Sequence, residues 1–208
     1  MSDVVELMSP PEDPVQRING VINGLVSNVD DPEKLGRIKV KYPLFNNIES
    51  DWMRVCSFYS GPSYGAFFRP AKNDEVLVAF AQGNINSPYV IGCLWSGVDK
   101  PPVDAKQQED VREIKTKSGQ VVRFEENKNE RITITDKKNN KFVIDTKKGS
   151  ITLSCDKNID IISSKGTVTI KGSNVKVDAK SSISLSAAKI DVKAKGTLTL
   201  KGARVNIN

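Results

Sequence analysis

GSITLSCDKNIDIISSKGTVTIKGSNVKVDAKSSISLSAAKIDVKAKGTLTLKGARVNIN, residues 149–208, is the stretch that decides how this chain folds. It carries eight doublets of β-branched or aliphatic residues placed two apart. They are Ile151/Leu153, Ile159/Ile161, Val168/Ile170, Val175/Val177, Ile183/Leu185, Ile190/Val192, Leu198/Leu200 and Val205/Ile207. The first members are separated by 8, 9, 7, 8, 7, 8 and 7 residues. Side chains at i and i+2 share one face of a strand, so each unit reads as a very short strand with a single apolar side. Gly, Ser, Asn, Lys and Asp fill the intervals and supply the bends. Recurrence at this period is an internal repeat, and it sets the architecture.

Sixteen inward side chains do not offset the conformational entropy of ordering sixty residues. A lone chain of such units would also leave unpaired strand edges along its length. Both problems vanish if several copies wind about one axis, with the doublets sealed inside and every edge paired to a neighbour. Three copies give the smallest closed prism, with identical interfaces by cyclic symmetry. A monomeric β-solenoid is the alternative, and it needs longer coils with several differently patterned faces per turn. The spacing excludes a strict six-residue left-handed helix. Doublets this regular are also not the composition of a disordered tail.

The charge distribution is uneven. Residues 1–110 hold 10 basic and 15 acidic side chains, while residues 111–208 hold 21 basic and 10 acidic. A basic rod fits an anionic surface, but no aromatic residue follows Phe142 to stack on bases. The lysines are spread rather than gathered, which points away from nucleic-acid recognition and toward keeping a β-rich rod from associating by its edges. No run of 18 apolar residues occurs, and the opening MSDVVELMSPPEDP has neither a basic n-region nor an apolar h-region. The expectation is synthesis in the cytoplasm without a signal peptide. Cys56, Cys93 and Cys155 are odd in number and widely spaced, as free thiols are. Cys155 shares parity with Ile151 and Leu153 and so reads as inward-facing.

The chain contains no His, which removes the commonest general base and metal ligand. The pairs Asp30-Asp31 and Glu125-Glu126 fall in turn-like or strand-end positions, and no Gly-rich phosphate loop or Cys-x-x-Cys is present. The reading is therefore of a non-enzyme, with no catalytic, cofactor-binding or metal residues and no cofactor. The residues that matter are the sixteen of the doublets.

Taken in order, residues 1–17 read as an extended arm containing Pro10, Pro11 and Pro14. Strands are predicted over 20–28, 37–43, 52–58, 75–80 and 89–95, with a Gly/Pro-rich loop at 61–65. Five short strands joined by turns suggest a small closed barrel over 18–98. Asn19-Gly20 and Asn23-Gly24 read as turns or bulges, and Trp52, Phe80 and Trp95 as core. The polar segment 99–111 reads as a linker. Doublets at Val122/Phe124, Ile132/Ile134 and Phe142/Ile144, about ten apart, then predict longer hairpin-like strands over 112–148, forming a neck wider than the 149–208 needle.

LGRIKVKYP (35–43), DWMRV (51–55), FRPAKNDEVLVAF (68–80) and GNINSPYVIGCLWSG (83–97) together resemble the barrel of phage baseplate assembly protein V. The same module recurs in the valine–glycine repeat spikes of type VI secretion and in extracellular injection particles. Residues 112–149 are similar to that family's transition segment, and the repeats resemble its β-helical needle. The chain departs from the pattern at Asn73, where the family usually has Gly; Asn also tolerates a left-handed backbone. It shows no large N-terminal hub domain and no inserted lysozyme domain. Without His it lacks the histidine-ligated iron tip of some short spikes.

The resemblance implies an all-β chain: a five-stranded OB-fold collar followed by an intertwined trimeric β-helix. It implies a structural spike assembled into the baseplate of a virion or virion-like injection particle. The partners expected are two further copies of the chain and a baseplate hub protein at the N-terminal collar. A tip protein of the proline–alanine–alanine–arginine (PAAR) repeat type would cap the C-terminal end, and contact with the target membrane would be transient. The other reading is a trimeric receptor-binding or adhesin fibre.

Overall fold

The computed structural model describes residues 17–206. The expected arm over 1–17 therefore lies outside the described residues except for Arg17, as does Ile207 of the last doublet. The chain divides into two compact units at Asp156/Lys157.

The first unit opens with β1 (Val21–Asn28), whose residues alternate between open and buried, so that Ile22 and Val26 point inward. Alternation continues in β2 (Lys39–Tyr42), with Val40 and Tyr42 buried, and in β7 (Glu75–Phe80), with Val76, Val78 and Phe80 buried. Between them lie the two-residue strands β3 (Ile48–Glu49), β4 (Arg54–Val55), β5 (Ser60–Gly61) and β6 (Tyr64–Gly65). β8 (Pro88–Leu94) completes a six-stranded sheet of order β3-β2-β1-β7-β8-β4. β4 pairs with β8 in parallel, and all other pairs in this sheet are antiparallel. The sheet curls back on itself. Ile38, just before β2, and Met53, just before β4, exchange backbone hydrogen bonds of 3.1 and 2.9 Å. The enclosed side chains (Ile22, Val26, Ile38, Val40, Tyr42, Met53, Val76, Val78, Phe80 and Val90) form one apolar cluster.

Three expectations are corrected. The strand predicted over 52–58 is reduced to Arg54–Val55, because Ser57 turns the chain with its hydroxyl on the Ala66 and Tyr59 carbonyls. Trp95 is not core: it is 69% exposed, one residue beyond the end of β8. Asn23-Gly24 is no turn, since both residues sit mid-strand and pair with Leu77 and Val76. Gly24 is glycine for a packing reason: a Cβ there would collide with Cγ1 of Val40. Asn73, by contrast, does adopt the left-handed backbone, with φ of 73°. Its N–H donates to the Val26 carbonyl at 2.8 Å, while the Val26 N–H donates to Asp74 at 3.0 Å, locking the β7 entry turn to β1.

The β1–β2 connection is held by one carboxylate. Asp31 accepts from Nε and Nη2 of Arg37 at 3.1 and 2.8 Å, and from the N–H groups of Glu33, Leu35 and Arg37. Its side chain is only 1% exposed. The Arg37 guanidinium, assisted by the backbone donors and opposed by burial, holds the carboxyl well below the usual carboxylate range.

A second sheet follows within the same unit: β9 (Val111–Lys115), β10 (Val121–Glu125), β11 (Arg131–Thr135), β12 (Lys141–Asp145) and β13 (Ser150–Ser154). It is an antiparallel meander in sequence order. Its connecting turns place Gly119, Glu130, Asn139 and Gly149 at positive φ, one per turn. In the second unit no described residue from Lys157 to Asn206 belongs to a strand, and bends alternate with segments without regular secondary structure.

Two outcomes are expected. Gly24→Ala forces the Val40 contact apart and destabilises the barrel by about 1–3 kcal/mol, read as a lowered midpoint in thermal or denaturant unfolding. Because the Asp31 pKa is depressed on folding, the stability this group adds is complete above its unfolded value of about 3.9 and is lost as pH falls below it. Asp31→Asn therefore lowers stability at neutral pH and flattens the acid limb of the stability curve below about pH 4.

Candidate functional site

The meander has two chemically distinct faces, and its register shows why. Along one face run two rows of cross-strand neighbours. The first is Ile114, Val122, Ile134, Phe142 and Leu153; the second is Arg112, Phe124, Ile132, Ile144 and Ile151. Strands β9 to β12 start ten residues apart and β13 nine after β12, and the turns between them return every doublet to the same side of the sheet. The doublets read from the sequence at 122/124, 132/134 and 142/144 are thus brought together. Ile151 and Leu153 join them on β13, as the fifth strand of the meander. Ile114 completes the row and was not singled out in the sequence, because its strand partner is Arg112 and no doublet marks it.

The opposite face is ionic. Nη1 of Arg123 donates to Glu113 Oε2 at 3.0 Å, and Nη2 donates to Oε1 of Gln107 at 3.0 Å. Nη2 of Arg131 donates to Asp145 Oδ2 at 3.1 Å. The Lys148 N–H, followed by Arg131, holds the Asp145 carboxyl below its ordinary value against the cost of burial. The expected linker contributes to this face through Gln107, and its last residue, Val111, is buried in β9.

Exposure on the two faces is inverted relative to an ordinary amphipathic sheet. The Glu113 and Asp145 side chains are 4% and 8% exposed, whereas Ile151 and Leu153 are 69% and 57% exposed. In a single chain the Glu113 and Asp145 carboxylates are paired and covered, while Ile114, Phe124, Ile134, Ile151 and Leu153 are exposed and Val122, Ile132, Phe142 and Ile144 half-buried. Contiguous apolar surface of this kind marks an interface.

The second unit repeats the pattern without a sheet. Ile159, Ile161, Val168, Ile170, Val175, Val177, Ile183, Leu185, Ile190, Val192, Leu198, Leu200 and Val205 are all exposed. First members lie between 48% and 59%, and second members between 64% and 73%. The same difference recurs in every complete unit. Cys155 is half-buried at the end of the meander, and Cys56 and Cys93 are exposed.

The barrel carries a further apolar surface that sequence reasoning did not mark. Phe58 stacks on Phe68 with ring centroids 6.5 Å apart, Tyr59 meets Tyr64 at 5.5 Å, and Phe67 lies against Gly36. The signal was present in the aromatic density of SFYSGPSYGAFF (57–68), a stretch that reads at first as a Gly/Pro loop. Among the described residues no group of three or more His, Cys, Asp or Glu side chains converges, and no helix is long and apolar enough to cross a membrane.

Residues 22–95, which run from β1 to just past β8, match the family model described as the type VI secretion system/phage-baseplate injector OB domain. The chain is 30% identical over 118 residues to the type VI secretion system spike protein VgrG5 of Pseudomonas aeruginosa, covering 52% of this chain and 15% of that protein. It is 29% identical over 75 residues to the spike protein VgrG3 of Vibrio cholerae, covering 34% and 7%. It is 27% identical over 96 residues to the actin cross-linking toxin VgrG1 of Vibrio cholerae, covering 44% and 9%. The aligned stretches thus span 15% or less of these relatives. Residues 22–95 thus match the injector OB domain, and over the aligned stretches the chain is similar to valine–glycine repeat spike proteins.

Proposed function

We propose that this protein is the central spike of a contractile injection machine and acts mechanically. Three copies share one axis. The barrels form a collar on the baseplate hub at the end of the tube, the meanders form a neck, and the repeats of 157–208 form a needle. The needle is driven through the target envelope when the sheath contracts, with a PAAR-repeat tip protein on its C-terminal end. No catalytic step is required of the chain.

The observation that carries this reading is the inverted exposure of the meander. A sheet whose ion pairs are covered and whose isoleucines and leucines are open is half of an interface. The described doublet residues of the second unit are exposed as well. Closing three such surfaces on one another buries both sets at once. Stiffness follows from the same arrangement, because bending a rod with a dry apolar axis and a continuous ladder breaks many hydrogen bonds together. The similarity to spike proteins supports the placement in a baseplate.

Sedimentation equilibrium of the purified protein is expected to give three times the 22.9 kDa chain mass. A folded monomer overturns the reading. Val177→Asp is expected to abolish the trimer, since three carboxylates would be buried side by side at a cost on the order of several kcal/mol each. Light scattering reads this directly, and a normal heat-resistant trimer from that variant removes Val177 from the axis.

A further inference from the structure

The β5–β6 hairpin and its flanks form an open groove of about 560 Å³, walled by Tyr59, Tyr64, Phe67 and Phe68, all of them exposed. The turn keeps these rings outside the barrel. Pro62 and Ser63 close the hairpin as a two-residue loop, with Ser63 at a φ of 65°. The Tyr64 ring lies over Gly61, where a Cβ would strike it. An aromatic surface of this density is seldom left uncovered on a folded domain. Its charge is one-sided. Arg54 and Arg69 line the groove, and no Asp or Glu does. Arg54 Nη2 donates to the Tyr89 hydroxyl at 2.6 Å and Arg69 Nη1 to the Val29 carbonyl at 2.8 Å, both neutral partners. A groove that is apolar and positive fits a segment that is apolar and acidic.

The chain supplies such a segment ahead of β1. Residues 1–16 contain Asp3, Glu6, Glu12 and Asp13 and no Lys or Arg, whereas residues 17–110 hold 10 basic and 11 acidic side chains. The acidic excess of the first half thus belongs almost wholly to these residues. Within them DVVELM, residues 3–8, sets Val4, Val5, Leu7 and Met8 around two carboxylates. Chain length selects the same stretch. Arg17 is bridged to Asn84 ahead of β1. The groove lies past the other end of β1, where Phe67 rests against Gly36 and Arg69 bonds to Val29. The chain takes 12 residues to go from Arg17 to Val29. A segment returning along the barrel with the same advance per residue needs as many, and that count ends at Val5.

We infer that residues 3–8 seat in the aromatic groove of their own copy. Val4, Val5, Leu7 and Met8 lie against the rings, and the Met8 thioether suits an aromatic wall. Asp3 and Glu6 lie beside Arg54 and Arg69 and balance their charge. Pro10, Pro11 and Pro14 fall in the stretch that spans the barrel, and their missing N–H groups leave that stretch fewer donors to satisfy. The barrel thereby covers its own aromatic surface, whether the chain stands alone or among other copies.

Cys56 lines the groove and reports on its cover in the full-length chain, with Cys93 and Cys155 replaced by Ser. Leu7→Ser with Met8→Ser is expected to raise the rate of Cys56 alkylation by iodoacetamide about tenfold, as losing a cover seated nine-tenths of the time does. Circular dichroism is expected to stay unchanged. Raising the salt concentration should speed alkylation of the parent chain, and should do so less in Asp3→Asn with Glu6→Gln, because only the former has charge pairs to screen. A second measurement does not depend on these variants. With p-benzoylphenylalanine in place of Phe67, irradiation is expected to join that position to a peptide within residues 3–8 of the same chain. Equal alkylation rates in parent and variants, no cross-link to residues 3–8, or a cross-link to residues 3–8 of another chain only, overturns the inference. None of these readouts depends on the mass of the particle, so their failure leaves the trimeric spike standing.

Discussion

The constraint on which this structure depends is the pairing of the backbone in its last quarter. A strand-forming segment exposes one N–H and one C=O per residue, and those groups need partners once they leave water. In the barrel and the meander every strand finds a neighbour in its own chain. From Lys157 onward no described residue belongs to a strand, although the sequence there has the strictest strand periodicity of the whole chain. A segment so patterned, yet outside any strand, is what the proposed trimer would complete. The open doublets express the same fact through side chains.

The meander mediates between these two regimes. Its hydrogen bonds are local and antiparallel, so it forms without help. Its apolar rows are nevertheless open, like those of the repeats. The ionic face shows how this inversion is tolerated. Arg123 and Arg131 are each tied to a carboxylate, and Gln107 from the preceding segment covers the first pair. Buried charges held in this way do not drive folding strongly, but breaking one pair is costly. The face therefore acts as a fixed exterior, and the variable outcome is left to the apolar side.

Much of this was legible in the residues. The alternation of Ile22/Val26, Val40/Tyr42 and Val76/Val78/Phe80 gave the barrel core, and the doublets about ten residues apart gave the apolar face of the meander. Asn73 was readable as a left-handed turn because its side chain tolerates that backbone. What failed had physical reasons. Trp95 continues an apolar run, and periodicity cannot tell that the strand has ended one residue earlier. Asn23-Gly24 has turn composition, but Gly24 answers to the approach of Val40 from a strand about sixteen residues away in sequence. The expected strand over 52–58 was cut short by a hydroxyl, Ser57, that competes for backbone carbonyls. Each of these depends on a contact distant in sequence or on the exact end of an element, and neither is encoded locally.

The ten-residue pitch of the meander also limits how this region can change in length. Adding one residue inside any of its strands would rotate every later side chain to the opposite face, setting Ile132 or Phe142 among the arginines. Adding residues at the turns, where Gly119, Glu130, Asn139 and Gly149 already take up the left-handed backbone, leaves the two faces intact. Duplicating a whole strand-and-turn unit does so as well. The β12-to-β13 step, nine residues where the earlier ones are ten, keeps both faces through its shorter turn, so this region changes length at its turns and not within its strands.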